Sequence, residues 1–156
     1  MSFLRVYTDS SVLGGCRDVE FQADSLRLVE WARRGEITLL FSEITLRELE
    51  AAPSEVKEIL SGLPLDCREF VPLTTEILTL RDAYIRAGVV NPQWLNDAAH
   101  VAVATVAQAD AIVSWNFKHI VRLEKIRGYN QVNESLGYGS LIIITPREVR
   151  LDEQDN

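Results

Sequence analysis

NDAAHVAVATVAQADAIVSWNFKH, the stretch from Asn96 to His119, decides how the remaining chain is read. From Ala98 to Ala107 nearly every side chain is small or apolar, so the segment reads as a helix buried on most sides. From Ala111 to Trp115 the run AIVSW is short, apolar and partly β-branched, the pattern of a strand covered on both faces. Two polar residues punctuate the stretch. Asp97 stands at the mouth of the helix, and Asn116 stands where the strand stops.

Outward from this centre, strands and helices alternate. Leu4 to Thr8 (LRVYT) reads as a first strand, followed by Asp9 and a segment that runs into Gly14-Gly15, read as flexible. Asp24-Ser25 is expected to cap a helix through about Arg34, with Leu26, Val29 and Ala32 at helical spacing and Gly35 closing it. Ile37 to Phe41 is a second strand. Ser42 then caps a helix that carries Glu43, Ile44, Arg47, Glu48 and Leu49 and ends before Pro53, with Glu43 and Arg47 spaced for an exposed pair. Pro53-Ser54 restarts a short helix to about Leu60, and Phe70-Val71 is a minor strand. Thr74 or Thr75 caps a further helix, which Gly88 terminates, and Asn91-Pro92 makes a turn. Beyond Asn116 the spacing predicts a short basic helix over Ile120 to Ile126, a polar loop over Tyr129 to Gly139, and a last strand over Leu141 to Thr145. This order gives an α/β class with a mainly parallel sheet, as a single domain over residues 1–150 and a frayed acidic tail over residues 151–156.

The bulk numbers narrow the classes. A chain of 156 residues that is 47% hydrophobic and 25% charged has enough apolar content for one core. No apolar run is long enough to span a bilayer and MSFLRVYTDS makes a poor signal peptide, so a cytoplasmic location without membrane contact is the expectation. Cys16 and Cys67 then read as reduced and structural, and no cysteine–histidine spacing suggests zinc. A formal charge of −7 argues against coating nucleic acid by bulk electrostatics, though not against an enzyme acting on RNA.

Asp9, Glu48 and Asp97 lie on three different elements. Each has an ordinary role open to it: a turn or cap for Asp9, a solvated helix face for Glu48, and a cap shared with Asn96 for Asp97. Brought together, three carboxylates repel at neutral pH unless a cation bridges them. Oxygen ligands without a thiolate or imidazole cluster select hard cations, Mg²⁺ or Mn²⁺. Such a centre orients and deprotonates water and stabilises charge on a phosphodiester, so a metal-dependent nuclease is the chemistry this pattern points to. Asn116 either orients water there or simply forms a strand-end turn. Asp110 reads as a turn residue and His100 as packed or hydrogen-bonded. His119 stands one turn beyond Asn116, within reach of a phosphate.

Four segments carry a family resemblance: VYTDSSVL near the start, SEITLRELEAA after the second strand, the central NDAAHVAVATVAQADAIVSWNFKHI, and YNQVNESLGY followed by LIIITPREV. In this order, over nearly the whole chain, they resemble the PIN-domain family, close to the VapC-type toxins of bacterial toxin–antitoxin pairs. The resemblance implies a three-layer α/β/α sandwich and Mg²⁺- or Mn²⁺-dependent endonucleolytic cleavage of single-stranded RNA. It sets Asp9, Glu48 and Asp97 at the family's acidic ligand positions and Asn116 at a polar position after the fourth strand. It also implies a homodimer and a small antitoxin that blocks the site. Many VapC-type members have a further acid where this chain has His119, so a single metal ion, or a second one bound weakly, is expected. Lys118, His119, Arg122, Lys125 and Arg127 crowd the exit of the site as RNA contacts or as a solvated face. Two other classes remain: a non-catalytic PIN-like binding module, and a phosphatase with Asp9 as nucleophile. The second would need an acid where Ser11 stands.

Overall fold

Five segments pair as strands in the computed structural model, which describes residues 4–151. They are β1 (Leu4–Thr8), β2 (Ile37–Ser42), β3 (Arg68–Val71), β4 (Ala111–Val113) and β5 (Ile143–Ile144). All neighbours are parallel, in the order β3-β2-β1-β4-β5. The chain builds from β1 outward to β3, then returns to lay β4 against the other side of β1, with Val6 opposite Ala111 and Thr8 opposite Val113. The direction of winding therefore reverses between β1 and β4. In open parallel sheets the carboxyl end of that reversal is where ligands bind, because the loops on either side part there.

Seven helices connect the strands: α1 (Ser10–Gly15), α2 (Gln22–Arg33), α3 (Glu43–Leu49), α4 (Ser54–Ser61), α5 (Thr75–Arg86), α6 (Leu95–Val106) and α7 (Leu123–Ser135). Alternate side chains along β1 point to opposite faces. Tyr7 joins Leu40 and Ile112 in a core with Leu80, Val101 and Tyr129 of α5, α6 and α7. Val6 joins Leu39 and Val113 in a second core with Leu13, Leu28 and Val56 of α1, α2 and α4. The fold is the α/β/α sandwich that was expected, with every sheet pairing parallel. No helix among the described residues is long and apolar enough to cross a membrane. Cys16 and Cys67 are free and buried. The tail expectation over residues 151–156 falls, beyond Leu151, outside the described residues.

Several local expectations are corrected. Helix α2 begins at Gln22, ahead of Asp24-Ser25, with Phe21 at the cap position and no side-chain capping bond. Asp24 instead pairs with Arg27 and Arg147, and Ser25 is buried as the acceptor of the Trp115 indole N–H at 2.9 Å. Gly14 and Gly15 are helical rather than flexible. A Cβ on Gly15 would stand 2.6 Å from Ser25 Oγ and 2.8 Å from Trp115 Nε1, so glycine is what lets α1 lie against α2. The expected helix over Ile120–Ile126 and loop over Tyr129–Gly139 are replaced by one helix, α7. Its inward face mixes apolar and polar groups: Ile126, Tyr129 and Val132 pack on the core, and buried Asn133 accepts from Tyr84 Oη at 2.5 Å. A hydrogen-bonded asparagine in the buried row interrupts the apolar stripe. The last strand is shorter than Leu141–Thr145, because only Ile143 and Ile144 pair with β4.

Candidate active site

Asp9 is the first residue after β1. Its extended backbone (φ −92°, ψ −178°) makes it the N-cap of α1. Oδ1 accepts from the Ser11 amide at 3.1 Å and from Ser11 Oγ at 2.6 Å, while Oδ2 accepts from Ser114 Oγ at 2.6 Å. Ser114 follows β4, so one carboxylate and two serines tie together the carboxyl ends of the strands at the winding reversal. The cap role read as the ordinary alternative is realised, and the side chain is 4% exposed. Burial pushes its carboxyl pKa up, against the pull of the His100 charge and the two serine bonds.

Glu48 lies near the end of α3, half-buried against α6 and at the edge of a cleft. Its Oε1 accepts from His100 Nε2 at 2.9 Å and, at 3.4 Å, from the Ser10 amide. His100 is fully buried, and its Nδ1 lies 2.7 Å from Tyr7 Oη, which lies 2.7 Å from Ser42 Oγ. Burial opposes a charged imidazole here, but the Tyr7 oxygen and the Glu48 carboxylate outweigh it and raise the His100 pKa well above the usual range. Its two ring nitrogens thus bridge the Tyr7 hydroxyl and the Glu48 carboxylate. Burial alone would raise the Glu48 carboxyl, yet the His100 bond and charge bring it below the ordinary value. The sequence reading of His100 as hydrogen-bonded stands. Its partner, far away in the chain, left no signal in the spacing.

The cap role open to Asp97 as the ordinary alternative is not realised, because α6 begins at Leu95 and places Asp97 in the first turn. Trp94 takes the cap position without a side-chain bond. Among the described residues no group donates a hydrogen bond to the Asp97 carboxylate. It lines a cleft of about 500 Å³ with Glu48, Trp94, Asn116, Lys118 and His119. Burial raises the Asp97 pKa, His100 and His119 oppose the rise, and the Glu48 and Asp9 charges add to it. The three acids thus share one field. They do not form a ready cage: among the described residues no three Asp, Glu, His or Cys side chains are grouped to hold a metal ion.

The donor chemistry still suits a hard cation. Mg²⁺ keeps several waters and takes only one or two carboxylates, which Glu48 and Asp97 offer from opposite elements of one cleft. Asp9 is less free, since both of its oxygens already accept bonds.

The remaining sequence candidates divide. Asn116 fulfils its turn role, its Oδ1 accepting from the Lys118 and His119 amides at 3.2 and 2.9 Å, and it also lines the cleft. His119 stacks on Trp94, with ring centroids 4.2 Å apart. Arg122 pairs with Glu124 at 3.0 Å. Lys125 donates to the Val89 carbonyl at 2.8 Å and lines a separate hollow with Gly88 and Gly128. Asp110 is the turn residue expected, accepting from the Arg5 amide at 2.7 Å. Trp94 was missed because a lone tryptophan after a proline turn carries no motif.

No protein-family model matches the chain, and no curated protein matches it. Among solved structures it is similar to tyrosyl-tRNA synthetase from Aeropyrum pernix, at 11% identity and a TM-score of 0.47 over 92% of this chain and 52% of the synthetase. The chain thus spans about half the length of that protein.

Proposed function

We propose that this chain is a Mg²⁺- or Mn²⁺-dependent endoribonuclease that cleaves single-stranded RNA, of the PIN-domain, VapC-like kind. The observation that carries the reading is the meeting of Glu48 and Asp97 in one cleft beside buried Asp9, at the carboxyl edge where the winding of the sheet reverses. The cation, when bound, supplies Lewis-acid stabilisation of the phosphodiester and activation of a water for in-line attack. The chain's own groups prepare for it. His100 keeps Glu48 charged and oriented, Ser11 and Ser114 fix Asp9, and Lys118 stands at the cleft where a phosphate enters. The VapC-like reading adds a homodimer and a small antitoxin, and a basic antitoxin segment suits a net charge of −7.

Replacement Asp97→Asn tests the reading. Mn²⁺-dependent cleavage should fall to background while thermal stability holds or rises, because the change removes a desolvated charge that Glu48 and Asp9 repel. Full activity in a preparation free of contaminating nuclease would overturn it.

A second reading, a non-catalytic binding module, is favoured by one observation: the Asp9 oxygens are both occupied and no ready cage surrounds them. Calorimetry that finds no Mn²⁺ binding, with no cleavage across a panel of RNAs, would select it. The phosphatase alternative has less support, because the 4% exposure of Asp9 leaves its carboxylate no path for attack.

A further inference from the structure

Trp94 is 38% exposed and belongs to neither hydrophobic core. It occupies the cap position of α6 without capping it. Burial of apolar area drives folding, so a large indole left at the surface asks for another explanation. Its ring lies against the His119 imidazole at a centroid distance of 4.2 Å and an interplanar angle of 23°. Both rings line the same cleft as Glu48 and Asp97.

The stack is held from behind on both sides. On the Trp94 side, Pro92 sets the first position of a 3₁₀ turn (Pro92–Trp94), and Asn91 Oδ1 accepts from the Gln93 amide at 3.1 Å. On the His119 side, Asn116 Oδ1 accepts from the His119 amide, and Tyr129 Oη donates to the His119 carbonyl at 2.8 Å. Two rigid turns therefore present one aromatic platform, with little freedom left to lose on binding.

We propose that the Trp94–His119 stack is a nucleobase platform that holds an unpaired base of the RNA beside the phosphate offered to Glu48 and Asp97. The inference rests on the ribonuclease reading for the identity of the polymer, and on the stack for the mode of contact. Electrostatics explains why such a platform is needed. The chain carries a net charge of −7, and Lys118 is the one lysine or arginine that lines this cleft. Phosphate contacts alone give weak binding under those conditions. A π-face attracts a base whatever the surrounding charge, and every base has one, so stacking supplies affinity without strict sequence choice. A base within a duplex has no free face, so the platform also selects single strands.

The test uses the whole chain and a short single-stranded oligoribonucleotide, with Ca²⁺ replacing Mn²⁺ for binding and Mn²⁺ present for cleavage. Trp94→Ala should weaken binding by roughly 5- to 150-fold, the range of one lost base stack. Trp94→Phe should restore most of it. Phe117→Ala, which removes a half-exposed aromatic that does not line the cleft, should leave affinity unchanged. An oligonucleotide made abasic at successive positions should show one costly position with the natural chain and none with Trp94→Ala; this comparison needs no assumption about how the variant folds. Unchanged affinity in Trp94→Ala, equal losses in Trp94→Ala and Phe117→Ala, or no binding of single-stranded RNA would each overturn the platform. Trp94-dependent binding without Mn²⁺-dependent cleavage would support the platform and overturn the ribonuclease reading. Cleavage that ignores Trp94 would do the reverse.

Discussion

Thr105 and His100 sit on the same helix, α6, and each enters a buried polar network. At the Thr105 end, Tyr84 Oη donates to Asn133 Oδ1 at 2.5 Å, Asn133 Nδ2 donates to Thr105 Oγ1 at 3.3 Å, and Thr105 Oγ1 donates back to the Val101 carbonyl at 2.8 Å. These bonds join buried groups of α5, α6 and α7, and Asn133 Nδ2 also reaches Asn130 Oδ1 at 3.4 Å, which ties the network to the Leu141 backbone. At the His100 end the chain of bonds starts among Ser42, Tyr7 and Thr45, passes through the imidazole, and stops at Glu48, whose side chain is 27% exposed. One network stays within the scaffold and the other delivers an oriented carboxylate to a cleft. Scaffold networks fix how helices pack, because a partly satisfied buried polar group costs more than an apolar one. A network that ends on an open acid fixes how that acid points, which has value only where something binds.

The difference can be broken by mutating each network at its centre. The largest effect is expected from His100→Gln, which keeps one amide donor toward Glu48 but removes the ring that bridges Glu48 to Tyr7. Orienting partners of metal ligands commonly contribute about 10–100-fold in affinity or activity. The apparent Mn²⁺ affinity and the cleavage rate of this variant should both fall by that order, at near-natural secondary structure by circular dichroism. Loss of stability with natural activity in the folded fraction would make the His100 network a scaffold like the other.

Asn133→Ala should behave in the opposite way. It removes the shorter of the two Tyr84 hydroxyl bonds and leaves that hydroxyl on Thr105 at 3.3 Å, and a lost buried hydrogen bond costs about 0.5–1.5 kcal/mol. For a domain of this size that lowers the unfolding midpoint by roughly 2–4 °C per kcal/mol. Cleavage and Mn²⁺ binding, measured well below the midpoint, should be unchanged. A drop in cleavage without a drop in the midpoint would mean that the two ends of α6 are coupled, and the contrast between them would fail.

The two networks were also unequally legible in the sequence. The helix and strand from Asn96 to His119 could be read because burial on all sides leaves an uninterrupted apolar run, and Ala98 to Ala104 are indeed all buried. The carboxyl-end placement of Asp9 followed from its position directly after LRVYT. Neither network could be read. Asn133 looked like loop because its polar side chain is buried by pairing with Tyr84, and the register of α7 was lost with it. His100 and Glu48 meet only after α3 and α6 pack, so no local spacing announces them. Trp94, just past the Asn91-Pro92 turn, carried no signal of its own, and only the cleft shows that it stands beside the acids. What a sequence displays well is apolar periodicity; a long-range polar pair leaves almost no trace there.

The finest test of the comparison lies within α3, which carries Glu43 and Glu48 five residues apart. Glu43 pairs with Arg47 at 2.8 Å in the solvent, both side chains at least half exposed, as its i,i+4 spacing predicted. Glu48 turns inward to His100. Exposed pairs of the first kind contribute only about 0.3–0.5 kcal/mol, and added salt screens them. Arg47→Ala should therefore lower the unfolding midpoint by about 1–2 °C at low salt, less at high salt, with cleavage unaffected at either. If cleavage fell with Arg47, the net charge of α3 would reach the cleft through the field alone, and the bond from His100 would not be what separates Glu48 from its neighbour on the same helix.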